Sequence, residues 1–219
     1  MSRIAVITAN LGGFDIPVTH SPQDAEIDWF HFTDENFPPR SCAMTPRLQA
    51  RIPKMFGWQM APGYDVYLWV DSSCALARPD SVSYFVDQVS DADVALFKHP
   101  HRSSVQEEAD YLKGRLAKGC PYITARYKGE LLDEQMAEIL DDPVFSDNRL
   151  FASTVLVYRD NCRVKNMMRE WWYHTSRYHS IDQLSLPYAM CVSGVEVKTI
   201  DENYLKSPYL KYVRPHGHR

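Results

Sequence analysis

Apolar residues along this chain come in short runs, set apart by longer stretches of helical periodicity. Residues 3–9, RIAVITA, read as a buried strand. It stops at NLGGFD, whose two glycines let backbone come close to a ligand. Residues 27–34, IDWFHFTD, are a second strand ending on Asp34. Tyr67–Val70, preceded by the turn signal Pro62-Gly63, are a third, ending on Asp71 and two serines. Residues 92–99, 151–160 and 195–200 are predicted strands as well. Between them lie helical stretches: 46–60 with a kink expected at Pro53, and 78–90 entered at Pro79-Asp80. Residues 103–119 follow, opened by a capping box from Ser104 to Glu107, then 121–140, 163–176 and a short helix over 180–190. Alternating strands and helices predict an α/β fold with several parallel strands. No repeat, low-complexity segment or linker interrupts the 219 residues, so one domain is expected.

Composition narrows the classes. With 45% hydrophobic residues the chain is globular rather than disordered. A net charge of −4 gives no global attraction to nucleic acid or anionic membrane. Five scattered cysteines without a CxxC pair exclude a zinc knuckle and suit a reducing compartment. The start MSRIAVITANLGG reads as too short and too quickly Gly-rich for a signal peptide, and no run reaches membrane-spanning length. A cytoplasmic protein without stable membrane insertion is expected. NLGGFD is neither G-x-G-x-x-G nor a P-loop, and no G-x-S-x-G occurs. Dinucleotide dehydrogenases, NTPases and α/β-hydrolases are disfavoured accordingly.

Each candidate for chemistry has a plain structural reading beside the functional one. Asp71 either turns the chain through the following serine amides or ligates a hard cation such as Mg²⁺ or Mn²⁺ at a strand's carboxyl end. Arg47, Arg51 and Lys54, spaced four and three apart, are either a solvated helix face or a phosphate clamp. Lys98, His99, His101, Arg102, Glu107 and Glu108 surround a strand-to-helix turn. They are ordinary loop polarity with a capped helix, or a substrate pocket. Ser180 and Asp182 read as the cap and first turn of a helix, unless Asp182 or Gln183 faces a cleft. His216 and His218 belong to a terminal tail that either frays or folds back on a metal site.

Taken in order, ARIPKMFGWQMAPGYDVYLWVDSSCAL, FKHPHRSSVQEEADYL, FASTVLVYRDN and HSIDQLSL resemble a glycosyltransferase family, formerly a domain of unknown function. That family includes the plant seed-mucilage-related hexosyltransferase-like proteins. The resemblance runs from about residue 4 to residue 192 and is most specific in YLWVDSS, the H-x-x-R…EE block and DQLSL. It implies a GT-A-like, Rossmann-like domain with a mixed, mostly parallel sheet flanked by helices. It implies a nucleoside diphosphate sugar donor, UDP-linked, and a divalent cation, Mn²⁺ or Mg²⁺. Asp71 matches the first acid of the D-x-D-type motif. Ser72 follows, and Ser73 stands where the second acid commonly sits, a departure that bears on metal dependence. His216 and His218 resemble the C-terminal histidine that completes such metal sites, with the tail from residue 203 folding back over the active site. Arg47 and Lys54 would face the donor phosphates, Thr8 and Asn10 would flank the nucleotide, and Asp182 with Gln183 would lie near the anomeric carbon. His99, Arg102, Glu107 and Glu108 would form the substrate pocket. The expected activity is hexosyl or pentosyl transfer to a polysaccharide, lipid, protein or modified nucleobase. A metal-dependent hydrolase and a catalytically silent nucleotide-sugar-binding module are the alternatives.

Overall fold

The structure, a computed structural model, describes residues 2–40 and 42–213. Strand β1 (Ile4–Asn10) leads through a loop to β2 (Ile27–Thr33). Helices α1 (Pro46–Gln49) and α2 (Arg51–Met60) precede β3 (Val66–Val70), a short β4 (Cys74–Leu76) and α3 (Ser81–Asp87). Strand β5 (Val94–Lys98) is followed by α4 (Val105–Ala117), α5 (Pro121–Tyr127) and α6 (Leu132–Leu140). Then come β6 (Phe151–Arg159), α7 (Cys162–Arg177), a 3₁₀ turn at Asp182–Leu184 and α8 (Leu186–Ser193). β7 (Val197–Ile200), a 3₁₀ turn at Tyr204–Lys206 and β8 (Leu210–Tyr212) complete the described chain.

The central sheet has six strands in the order β2-β1-β3-β6-β5-β7. All run parallel except β6, which is antiparallel to both neighbours. The GT-A-like expectation of a mixed, mostly parallel sheet flanked by helices is met. β3 is one of the two central strands, and every one of its residues is buried. Its unbroken apolar run is what a strand covered on both faces requires. One face packs on α2, α7 and α8 through Ile7, Met55, Trp69, Met168 and Trp171. The other packs on α3 through Val6, Leu68, Val82 and Phe85. A third cluster joins α4, α5 and α6 around Leu150 and Leu184. Tyr67 and Tyr158, paired in register across β3 and β6, stack at 5.1 Å.

Several sequence expectations change in detail. The helix expected over 46–60 breaks at Ala50, and Pro53 is the third residue of α2. A proline rejects the carbonyl four residues back, here that of Gln49, so the chain restarts its helix there. The irregular backbone lies at Phe56 rather than at Pro53. The stretch 121–140 is two helices, separated where Gly129 takes a φ of +87°. Ser180 is not a helix cap. Its hydroxyl bonds Glu130 at 2.6 Å, and the turn that holds Asp182 starts from Ile181. β4 and β8 went unpredicted, because three-residue strands carry no periodicity.

Candidate functional site

The carboxyl ends of β1 and β3 and the start of β6 meet at one edge of the sheet. A cleft of about 510 Å³ opens there. Its floor is the loop 11–15, Trp69 and the turn Asp71–Ser73. One wall is the start of α1 and α2 with Arg47 and Arg51, and another is α5 with Tyr122, Arg126 and Tyr127. Tyr204 and Tyr212 close the remaining side.

The loop is built to hold this shape. Asn10 and Asp15 bond reciprocally, Asn10 Nδ2 to the Asp15 carbonyl at 2.7 Å and the Asp15 amide to Asn10 Oδ1 at 3.1 Å. Gly12 adopts a φ of +71°, and a Cβ there would sit 3.0 Å from Pro46. Its amide donates to both oxygens of Asp34 at 3.0 Å, so the acid at the end of β2 anchors the loop. Ser72 donates to Asp15 across the cleft floor.

Behind the floor lies a buried ionic network. Lys54 is only 1% exposed. Its Nζ donates to Asp182 Oδ2 at 2.6 Å and lies 3.6 Å from Asp71 Oδ1. The ammonium sits between the indoles of Trp69 and Trp171, 5.5 and 5.6 Å from their centroids. Arg51 reaches Asp182 Oδ2 at 3.2 Å. Trp69 Nε1 donates to Asp71 Oδ1, and Trp171 Nε1 to the Asp182 carbonyl, both at 2.7 Å. Burial pushes the Asp182 carboxyl up, but Arg51 and Lys54 more than reverse this and hold it below the ordinary carboxylate range. Burial likewise opposes the Arg51 charge, and Asp182 followed by Asp71 outweighs it.

Arg47 is held by the Arg126 carbonyl and Ser180 Oγ, each at 2.8 Å, by Glu130 at 3.2 Å, and by the Tyr127 ring at 4.3 Å. Burial lowers its pKa from the usual guanidinium value, against the pull of Tyr127 and Glu130. Arg126 lies between Phe14 and Tyr122, 4.2 and 4.1 Å from their rings, and so ties the β1 loop to α5.

The structure sorts the expected site residues. Asn10, Arg47, Asp71, Ser72 and Ser73 line the cleft together. Thr8 lines a smaller adjoining pocket of about 190 Å³, which shares Asn10 and Ser72 with the main cleft. Lys54 does not face the cleft as expected, because the α2 face that carries it packs on the core. It reaches the cleft only through Asp71. Asp182 is 3% exposed, lies behind Arg51 and Lys54, and is not among the residues lining the cleft. Gln183 turns away and donates to Glu108 at 2.6 Å. Glu108 also pairs with Arg102, and His99 Nδ1 accepts the Arg102 amide at 3.0 Å. His99, Arg102, Glu108 and Gln183 thus form a cluster of their own, outside the cleft lining. Glu107 is spent on the Ser103 amide at 2.7 Å, at the entrance to α4. His216 and His218 lie outside the described residues.

Sequence reading missed Asp15, Trp69, Tyr122, Arg126, Tyr127, Tyr204 and Tyr212 as cleft residues. Arg126 among aromatics in PYITARY was a signal, but nothing in that segment points to β1. In the described part of the stretch from residue 203, β8 pairs with β4, and the Val213 amide donates to the Ser73 carbonyl at 2.8 Å.

No group of three or more His, Cys, Asp or Glu assembles a metal site among the described residues. The one oxygen of Asp71 that the network holds is shared by an indole N–H and an ammonium.

The cationic, aromatic cleft lies at the carboxyl ends of the parallel strands, where open α/β sheets bind their ligands. The chain belongs to the TOD1/MUCI70 glycosyltransferase-like domain family, whose match spans residues 42–203. No curated protein matches it. Among solved structures it is similar to a glycosyltransferase involved in the glycosylation of the major capsid of PBCV-1. That similarity is 9% identity and a TM-score of 0.49, over 93% of this chain and 85% of the other. CMP:2-keto-3-deoxy-manno-octonic acid synthetase complexed with CTP is similar at 10% identity and a TM-score of 0.44, over 92% and 90%. A197 from STIV is similar at 9% identity and a TM-score of 0.36, over 91% and 82%. Among the described residues no helix is long and apolar enough to cross a membrane.

Proposed function

We propose that the protein transfers a sugar from a UDP-linked donor to an acceptor hydroxyl, with the donor diphosphate in the cleft between the β1 loop, α2 and α5. The observation that carries this reading is the convergence of Arg47, Arg51 and Arg126 on one aromatic-walled cleft at the strands' carboxyl ends. Family membership supports it. A volume near 510 Å³ lies within the range of about 300–1,000 Å³ usual for small-molecule sites. Glycosyl transfer leaves a diphosphate, and preorganised guanidinium groups stabilise the charge that develops on it. The tyrosines and Trp69 offer ring faces for base or sugar and exclude water. Asp71 is 30% exposed on its side chain and, with Asp15, puts carboxylate within the cleft. Asp182 acts as a positioning residue, fixing Arg51 and Lys54 from behind.

A thermal-shift panel of nucleoside diphosphates tests this. At a hundredfold excess over Kd a ligand stabilises by about 2.7 kcal/mol. At about 2–4 °C per kcal/mol, UDP should raise Tm by about 5–10 °C. Arg126→Ala should reduce that shift, and incubation with UDP-sugars should release UDP. A panel in which no nucleoside diphosphate moves Tm overturns the reading. UDP binding without turnover leaves the silent binding module in its place.

A further inference from the structure

The ion that Asp71 faces is part of the protein. The Lys54 ammonium lies 3.6 Å from Asp71 Oδ1 and is anchored on Asp182 at 2.6 Å. It cannot swing aside, because its side chain is fully buried and two indoles flank it. Leaving would also strip Asp182, 3% exposed, of its closest partner. A Mg²⁺ or Ca²⁺ ion bonds carboxylate oxygen at about 2.0–2.6 Å. On that oxygen of Asp71 it would sit beside a fixed positive charge, in a partly desolvated floor where repulsion is poorly screened.

The turn offers little to offset this. The position two residues after Asp71 carries the Ser73 hydroxyl rather than a second carboxylate, and the Ser73 carbonyl accepts the Val213 amide. Positive charge for a diphosphate is instead supplied by the walls. Arg47, Arg51 and Arg126 come from three separate elements, α1, α2 and α5, and line one cleft. The Nε groups of Arg47 and Arg51 are buried with no hydrogen-bond partner among the described residues, so neither guanidinium is fully used inside the protein.

From this we infer that the cleft binds its nucleoside diphosphate without a divalent cation, Arg47, Arg51 and Arg126 taking the phosphate charge and Lys54 serving as the permanent counter-ion of Asp71. The inference rests on the nucleotide-sugar reading above and sharpens it. It gives Asp71 the role of holding the Lys54–Trp69 floor in place, not of ligating a metal.

Two measurements on the full chain decide it. The first is UDP affinity by calorimetry in EDTA and in excess Mn²⁺. The expected Kd values agree within about threefold, while a gain of about tenfold or more with Mn²⁺ that Asp71→Asn abolishes overturns the inference. The second is titration of the protein alone with Mn²⁺, followed by the loss of the free-ion electron paramagnetic resonance signal. Wild type should bind no Mn²⁺ through Asp71, so wild type and Asp71→Asn should titrate alike. Submillimolar Mn²⁺ binding that Asp71→Asn removes overturns the inference. Lys54→Gln, which removes the ammonium beside Asp71 while Arg51 stays on Asp182, should acquire Mn²⁺ affinity through Asp71, and its failure to do so overturns the counter-ion role. If UDP binds in neither buffer, the nucleotide-sugar reading falls, while the Mn²⁺ titration still decides whether Asp71 is a metal ligand.

Discussion

Replacing Lys54 with methionine tests the network beneath the cleft at its most buried point. Methionine keeps most of the side chain's length and its packing between Trp69 and Trp171, so the change is chiefly the loss of one charge. That charge neutralises Asp182 at 2.6 Å and faces Asp71 at 3.6 Å. Two unit charges 4 Å apart interact by about 4 kcal/mol at an effective dielectric constant of 20. Breaking a buried pair by removing one partner costs about 3–5 kcal/mol. Arg51 stays 3.2 Å from Asp182 and supplies part of the compensation, which puts the expectation at the low end, about 3 kcal/mol. For a chain of this size that lowers Tm by about 6–12 °C. Urea and thermal unfolding, followed by circular dichroism, measure it. The double variant Lys54→Met/Asp182→Asn should recover part of the loss, since neighbours in one ionic network couple by about 0.5–3 kcal/mol. The acid limb gives a second check. Asp182 binds its proton less readily in the fold than in the unfolded chain. Its contribution is therefore whole above the unfolded carboxylate value of about 4 and is lost as pH falls through the folded value. Asp182→Asn should flatten that limb. A Lys54→Met variant within about 1 kcal/mol of wild type would refute the reasoning, because so small a cost belongs to solvated pairs.

His179 is almost fully buried, and its Nδ1 accepts the Ile181 amide at 3.2 Å. Burial drives its pKa down to about 4 despite Glu130, so it is neutral near pH 7. Stability from His179 should be whole above its unfolded value near 6.5 and fall as pH drops toward 4. An NMR titration placing this imidazole above pH 6 would contradict that. Gly57→Ala should destabilise even though alanine is the better helix former by about 1 kcal/mol. The new Cβ would lie 2.2 Å from Ile7 Cδ1 and 3.2 Å from Tyr158 Oη, both in the closed core. Overpacking of about 1–3 kcal/mol outweighs the propensity gain, and a variant at least as stable as wild type in urea would show that α2 can lift off β1.

What the sequence determined by itself is what depends on neighbours along the chain. Val66–Val70 is a wholly apolar run, so it became a strand covered on both faces, and Asp71 had to fall at its end. Ser104 caps α4 by accepting the Glu107 amide, because a cap is a bond to an amide two or three residues away, and α3 starts directly after Pro79-Asp80. The motif YLWVDSS was sufficient to place a cleft floor at that strand end. Arg47 and Asn10 could be assigned to the cleft for the same reason, since each lies at the sheet edge where a strand or helix begins or ends. The partners were decided by the tertiary structure. Lys54 and Asp182 are 128 residues apart, and no spacing rule distinguishes a lysine that faces phosphate from one buried on a carboxylate. That α2 turns its Lys54 face inward follows from Gly57, which lets the helix close on Ile7 and leaves the ammonium no path to water. Arg126 reached the cleft only because Phe14 and Tyr122 hold it there, and β8 became a strand only when β4 was available to pair with it. Charge pairing and strand pairing are contacts between distant segments. Their energies are set by burial and distance in the folded chain, and neither quantity is written in the order of the residues.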